Sequence, residues 1–277
     1  MKITNIQGTS RLGNGVEIPY LGLGIYGMYE GNETIHAIES AFEAGYRHID
    51  TATLYQNERS VGEAIRRSGI ERSEIFVTTK VWNSDQGYRN TLEAFQRSLD
   101  NLQFNYIDLY LIHWPVQGKY VDTWNAMEEL YKKSVVRAIG VSNFMQHQLE
   151  DLMSYAEIIP MVNQVEFHPY LQQQQLYRFC IRHNIQFESW APLMRGHVNE
   201  IPVIQKMAIK YKKTPVQIVL RWDLQKGIVT IPKSARKERI NSNSEIFDFI
   251  LSEEDMIAIN ALDKNNRIGP DPENFVF

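Results

Sequence analysis

The sequence has a single cysteine, Cys180, among 277 residues. That excludes an internal disulfide framework and any zinc site built from clustered thiolates. No apolar run approaches the ~18 residues that would span a membrane as a helix. The stretch from Met1 to Arg11 also lacks an apolar core of signal-peptide length. Positive charge is not in excess: 29 Lys and Arg stand against 33 Asp and Glu, a net charge of −4, and no basic stripe is interleaved with aromatics, which disfavours nucleic acid as a partner. The seven histidines form no H-x-x-H or H-E-x-x-H pair, so no metal is expected. No serine sits in a G-x-S-x-G elbow. Linkers and low-complexity runs are absent too, and one soluble, cytoplasmic domain over residues 1–277 is expected.

What is present is alternation. Arg11 to Pro19 carries Asn14-Gly15 between short apolar segments, which predicts a tight hairpin ahead of the main fold. Leu21 to Gly24 reads as a strand whose glycines leave room beside the backbone. Strands are then predicted at Tyr46–Ile49, Ile75–Thr79, Ile107–Ile112, Val135–Val141, Met161–Val165, Ile185–Phe187 and Ile228–Ile231. Helical spacing fills the intervals, most clearly over Tyr88–Leu102, where Tyr88, Leu92, Phe95, Leu99 and Leu102 share a face. Two consecutive helices, about Ile201–Tyr211 and Thr214–Leu224, precede the last strand, and Ser252 caps a final one. Eight apolar strands alternating with helices predict a parallel sheet closed on itself. The expected fold is α/β, a single (β/α)8 TIM barrel with an N-terminal β-hairpin and two extra helices. A doubly wound sheet is the weaker alternative, because Gly22-x-Gly24-x-x-Gly27 does not lead directly into a helix.

In such a barrel the chemistry lies at the C-terminal ends of the strands. There the sequence places Asp50 and Tyr55, Lys80 and Trp82, His113 and Trp114, Ser142 and Asn143, Gln164 and Glu166, Trp190, and Lys233 and Ser234. A tyrosine donates a proton readily near neutral pH only if a cation favours its anion. Lys80, ion-paired with Asp50, supplies that cation; Tyr55 then protonates a carbonyl oxygen while His113 orients the substrate. No side chain can give a hydride, so a cofactor is implied. Taken singly, each of these residues also has a bland reading as a cap, a solvated lysine or a rim histidine. Trp82, Trp114 and the weaker Tyr26 serve equally as rim packing or as walls for an apolar substrate. Lys233 and Arg239 serve equally as ordinary surface charge or as a phosphate clamp. Glu166, His168 and Arg195 lie near the rim without an assigned role.

Gly22-Leu23-Gly24, Gly45 to Ala52 through Tyr55, Thr79-Lys80-Val81-Trp82, Asp108 to Pro115, Gly140 to Phe144, Asn163 to Glu166 and Ile231-Pro232-Lys233-Ser234 together resemble the aldo-keto reductase superfamily. Within it, the chain is similar to the short bacterial aldehyde reductases of the glyoxal, methylglyoxal or diketogluconate type. The resemblance runs almost end to end. It implies a catalytic tetrad at Asp50, Tyr55, Lys80 and His113, with Tyr55 the acid. It further implies nicotinamide contacts at Ser142, Asn143 and Gln164, a stacking ring at Trp190, a cofactor contact at Leu193, a phosphate clamp of Lys233, Ser234 and Arg239, and Asn243 near the adenine. Two cations and a hydroxyl around one phosphate suit a 2′-phosphate, hence NADPH. Tyr26, Trp82, Trp114 and His113 would line the substrate pocket. The family departs here at Ala191, Ile25 and Ser242, where serine, threonine and glutamate are frequent. The expected function is reduction of small aldehydes and ketones, including 2-oxoaldehydes such as methylglyoxal, by a monomer with a shallow, open pocket. The alternatives are an NADPH-sensing regulatory subunit and a lyase forming a Schiff base on Lys80.

Overall fold

Eight strands form one parallel sheet, each hydrogen-bonded to its sequence neighbour. They are β3 (Leu23–Gly24), β4 (His48–Asp50), β5 (Phe76–Val81), β6 (Ile107–Ile112), β7 (Val136–Ser142), β8 (Val162–Glu166), β9 (Gln186–Trp190) and β10 (Val229–Thr230). These positions come from a computed structural model that describes residues 3–274; Met1, Lys2 and Phe275 to Phe277, which fall within the expected 1–277 domain, lie outside the described residues. The first and last strands meet: Leu21 bridges Thr230 and Gly24 bridges Lys233, both in parallel. Gly22 N–H donates to Thr230 O at 3.0 Å and Thr230 N–H to Tyr20 O at 2.9 Å. The sheet is thus a closed barrel, as expected.

The glycines at this seam leave room for a close approach to the backbone, as expected. A Cβ on Gly22 would lie 2.6 Å from His48 Nδ1, and one on Gly24 would lie 2.8 Å from Ile231 O. The space beside the backbone is filled by the barrel's own interior and closing strand.

Strands β5 and β6 are buried at every residue, as expected where helices cover one face and barrel contents the other. The helices are α1 (Asn32–Glu43), α2 (Glu58–Arg67), α3 (Tyr88–Leu102), α4 (Tyr120–Lys132), α5 (Gln146–Tyr155), α6 (Gln174–Arg182), α7 (Pro202–Tyr211), α8 (Pro215–Gln225), α9 (Lys237–Ser244) and α10 (Glu253–Asn260). Doubling up before β10 and again after it supplies the two helices beyond the usual complement. Helix α8 starts as its sequence dictates: Thr214 Oγ1 accepts from Gln217 N–H at 3.2 Å, Gln217 Oε1 accepts from Thr214 N–H at 2.8 Å, and Pro215 occupies the first turn.

Two local expectations are corrected. The hairpin forms, with β1 (Thr9–Arg11) antiparallel to β2 (Glu17–Pro19), but Asn14-Gly15 lies within a longer loop in which Leu12 N–H donates to Val16 O at 2.8 Å and only Gly15 has positive φ. The buried face of α3 is Thr91, Ala94, Phe95, Ser98 and Leu102, with Leu92 and Leu99 half-buried and Tyr88 exposed. Small residues face inward there and let the helix lie close to the sheet, while the larger apolar side chains flank the contact.

Candidate active site

Side chains two apart on a strand point the same way, and this stacks the barrel interior in layers. His48 and Asp50 on β4, Thr78 and Lys80 on β5, Gln164 and Glu166 on β8, and Glu188 and Trp190 on β9 all face inward. The lower layer pairs His48 Nε2 with Thr78 Oγ1 at 3.1 Å and brings it within 3.9 Å of Glu188 Oε1. Above it, Lys80 Nζ donates to Asp50 Oδ1 at 2.6 Å and to Thr51 O at 2.9 Å. Gln164 Nε2 donates to Asp50 Oδ2 at 2.8 Å and to Glu188 Oε2 at 3.0 Å.

The third layer is the rim. Tyr55 ends a single 3-10 turn, Thr53–Tyr55, which sets its ring 5.2 Å from Lys80 Nζ and 5.8 Å from the His113 ring. Trp82 packs edge-on to His113 at 5.0 Å and Tyr26 edge-on to Tyr55 at 5.1 Å. The expected tetrad is therefore one cluster. Of the expected walls, Tyr26 is exposed, Trp82 half-buried and Trp114 buried.

Burial dominates the electrostatics. It pushes the Tyr55 phenol up to about 12, with Lys80 pulling the other way. The phenol is therefore protonated at neutral pH, and the lowering expected from Lys80 is outweighed. Burial alone would drive the Lys80 ammonium towards neutrality, but Asp50 and Tyr55 more than offset it and hold its pKa above the ordinary lysine value. Burial raises Asp50 despite the opposing Lys80 cation. Burial and the neighbouring Lys80 charge hold His113 well below the usual imidazole range, so it is neutral. Glu188 is raised to about 8 by burial and by the Asp50 charge. Burial lowers His48 to about 3.

The expected cofactor residues adjoin this cluster. Ser142 ends β7 and its hydroxyl donates to Gln164 O at 2.8 Å; Asn143 follows with φ 64°. Asn143 Nδ2 donates to His113 O at 3.0 Å, and Trp190 Nε1 donates to Asn143 Oδ1 at 2.8 Å. Both amide hydrogens of Gln164 are committed to Asp50 and Glu188, and among the described residues its Oε1 accepts no hydrogen bond. Leu193 is half-buried in the turn after Trp190, where Ala191 adopts φ 53°.

On the other side of the rim, Ser234 Oγ accepts from Arg236 N–H at 3.2 Å in the turn just before α9. Lys233, Arg236 and Arg239 are exposed there. Among the described residues these three form no ion pair, whereas neighbouring Lys237 is paired with Glu43 at 2.6 Å. Asn243 is buried in the same helix. Unpaired cations beside a hydroxyl and a helix start fit a phosphate, and the Ser142, Asn143 and Gln164 edge fits a primary amide. Among the described residues no group of three His, Cys, Asp or Glu side chains is placed to hold a metal.

Sequence reading did not assign His48, Thr51 and Glu188 beneath the tetrad, or Arg236 beside the clamp. The inward period-two pattern on β4 and β9 is the signal that points to the first and third.

A closed barrel presenting carboxylate, ammonium, phenol and imidazole at its C-terminal rim, with an anion cradle alongside, defines an oxidoreductase of the carbonyl-reducing kind. Residues 7–264 match the Aldo/keto reductase family, and the chain belongs to it. A glyoxal reductase of Bacillus subtilis is 53% identical over 274 residues, covering 99% of both chains. The methylglyoxal reductase DkgA of Salmonella typhimurium is 47% identical, over 96% of this chain and 97% of its own. Among solved structures, a Gox0644 mutant in complex with NADPH superposes with a TM-score of 0.93 at 43% identity, over 98% of this chain and 99% of that one.

Proposed function

We propose that this protein reduces small aldehydes and ketones to alcohols with NADPH, 2-oxoaldehydes such as methylglyoxal among them, with Tyr55 as proton donor. The reading rests on one cluster: a protonated Tyr55 phenol beside the Lys80–Asp50 pair and a neutral His113. NADPH supplies the hydride when bound. Ser142, Asn143 and Gln164 would hold its amide, Trp190 and Leu193 its ring side, and Lys233, Ser234, Arg239 and Asn243 its phosphate end. A carbonyl oxygen between Tyr55 and His113 gains the phenolic proton as negative charge develops on it, and Lys80 stabilises the phenolate left behind. Tyr26, Trp82 and Trp114 would form the walls.

A Schiff base on Lys80 is disfavoured, since that amine is charged and committed to two acceptors. A regulatory subunit would not need a proton donor beside a neutral imidazole. No helix among the described residues is long and apolar enough to cross a membrane. The proposal includes a cytoplasmic monomer; its one-domain part is supported by hairpin contacts to the barrel from Asn14 Nδ2 to Arg137 O at 2.8 Å and Ser10 Oγ to Gln186 Oε1 at 2.5 Å.

The test is NADPH consumption with a panel of aldehydes, ketones and sugars, repeated with NADH. Turnover preferring NADPH and small aldehydes is expected. Tight NADPH binding with no turnover on any carbonyl would turn the assignment towards a regulatory role.

A further inference from the structure

Glu166 ends β8 inside the rim and is fully buried, and the tetrad does not use it. Its carboxylate is instead the anchor for residues far along the chain. Oε1 accepts from Ile268 N–H at 2.6 Å and pairs with His168 Nε2 at 2.9 Å. Gly269 N–H reaches the two oxygens at 3.3 and 3.2 Å, and Arg267 Nη1 lies 3.9 Å away. Just upstream, the N–H groups of Lys264 and Asn266 both donate to Tyr170 O, at 3.1 and 3.0 Å. Residues 264–269 thus form a strap fastened across the end of β8.

The strap ends against Trp190, whose backbone is the register partner of Glu166. A Cβ on Gly269 would lie 2.4 Å from Trp190 Cη2 and 3.0 Å from Cζ3. Gly269 has no positive φ, so the ring, rather than the backbone, demands glycine. At the opposite end of the same ring, Nε1 is held by Asn143. The indole is fixed at both ends, by the nicotinamide-side residue Asn143 and by the strap.

We propose that Glu166 and Gly269 are positioning residues. Glu166 fastens the strap, and Gly269 sets the plane of Trp190, so release of the strap and release of the cofactor are coupled. This rests on the reading that Trp190 faces the nicotinamide. Glu166→Gln removes the anion and turns an NH2 group towards strap N–H donors; Gly269→Ala leaves the anchor intact and pushes on the ring.

The test measures NADPH dissociation constant and dissociation rate in both variants, together with tryptic cleavage after Arg267 and the pH profile of kcat/KM. Both variants are expected to weaken NADPH binding about three- to tenfold, the worth of one aromatic stacking contact, with the pH profile unmoved. In Glu166→Gln, cleavage after Arg267 should accelerate, and in the wild type bound NADPH should slow it. Trp190→Tyr removes the atoms that clash, so adding Gly269→Ala to that variant should cost less than about twofold, the coupling expected of residues in contact. Faster cleavage with NADPH affinity and dissociation unchanged overturns the proposal, as does an equal cost of Gly269→Ala in both backgrounds. A Trp190→Leu variant that binds NADPH as the wild type does would instead overturn the placement of Trp190 against the cofactor.

Discussion

Replacing Lys80 with methionine separates what the buried ion pair does for stability from what it does for chemistry. Lys80 and Asp50 side chains are 1% and 3% exposed. Without the ammonium, Asp50 Oδ1 faces a thioether that cannot donate, and only Gln164 still donates to the carboxylate. An unpaired buried charge costs about 3–5 kcal/mol, and at roughly 2–4 °C per kcal/mol for a domain of this size the melting temperature should fall by about 6–20 °C. Burial already holds the Asp50 carboxyl above its ordinary 3.8, and removing the cation leaves nothing of that size to oppose it. The neutral acid is then the form the folded state tolerates. The deficit should therefore be smallest below the unfolded carboxyl pKa and grow as pH rises through the raised folded value. Adding Asp50→Asn removes the charge while its amide oxygen still accepts from Gln164, and should restore stability to within about 1–2 kcal/mol of the wild type. Turnover should stay lost in both variants, because Tyr55 has no cation beside it. Denaturant unfolding at pH 4 and pH 7, with turnover alongside, measures all of this. A Lys80→Met protein within about 1 kcal/mol of wild type, or a double variant no more stable than the single, would refute the reasoning.

Two further predictions concern Glu188 beside the pair and the exposed cations across the rim. Glu188 is raised from 4.5 to about 8, so its contribution to stability is complete below the unfolded value and is lost as pH rises through the folded one. Glu188→Gln, permanently neutral, should remove a pH-dependent loss on the order of a few kcal/mol between about pH 5 and 9; parallel stability profiles for the two proteins would contradict it. Lys233→Ala and Arg239→Ala should each weaken NADPH binding about tenfold or more while leaving NADH affinity nearly unchanged, and should flatten the salt dependence of NADPH binding. Equal losses for both cofactors, read by fluorescence titration, would place the 2′-phosphate elsewhere.

Strands β5 and β6 were readable from short apolar segments, Ile75-Phe76-Val77 and Leu109 to Ile112, which suit strands buried on both faces. Asp50, Lys80 and His113 stood out for a related reason, since each ends an apolar segment with a polar side chain, and Tyr55 follows Asp50 by five residues in the turn beyond β4. Helix α9 was not readable: Lys237–Ser244 buries only Ile240 and Asn243, too few apolar positions to give a helical stripe. Its place is set by tertiary contact. Glu188 and His48 sit inside strands, where pattern reading expects core, and their pairing across the barrel depends on register. The Glu166 strap joins residues about a hundred positions apart, and nothing local in either segment announces the other. Gly269 has meaning only once Trp190 is in place.

The central claim is that Tyr55 donates the proton from a cluster that otherwise stays intact without it. The measurement is NADPH consumption with methylglyoxal by the wild type and by Tyr55→Phe, with NADPH affinity determined for both. Loss of turnover by about a hundredfold or more, in the range general acid catalysis supplies, with NADPH affinity essentially unchanged, is the predicted result. A Tyr55→Phe protein that turns over methylglyoxal at a rate close to wild type would contradict the account.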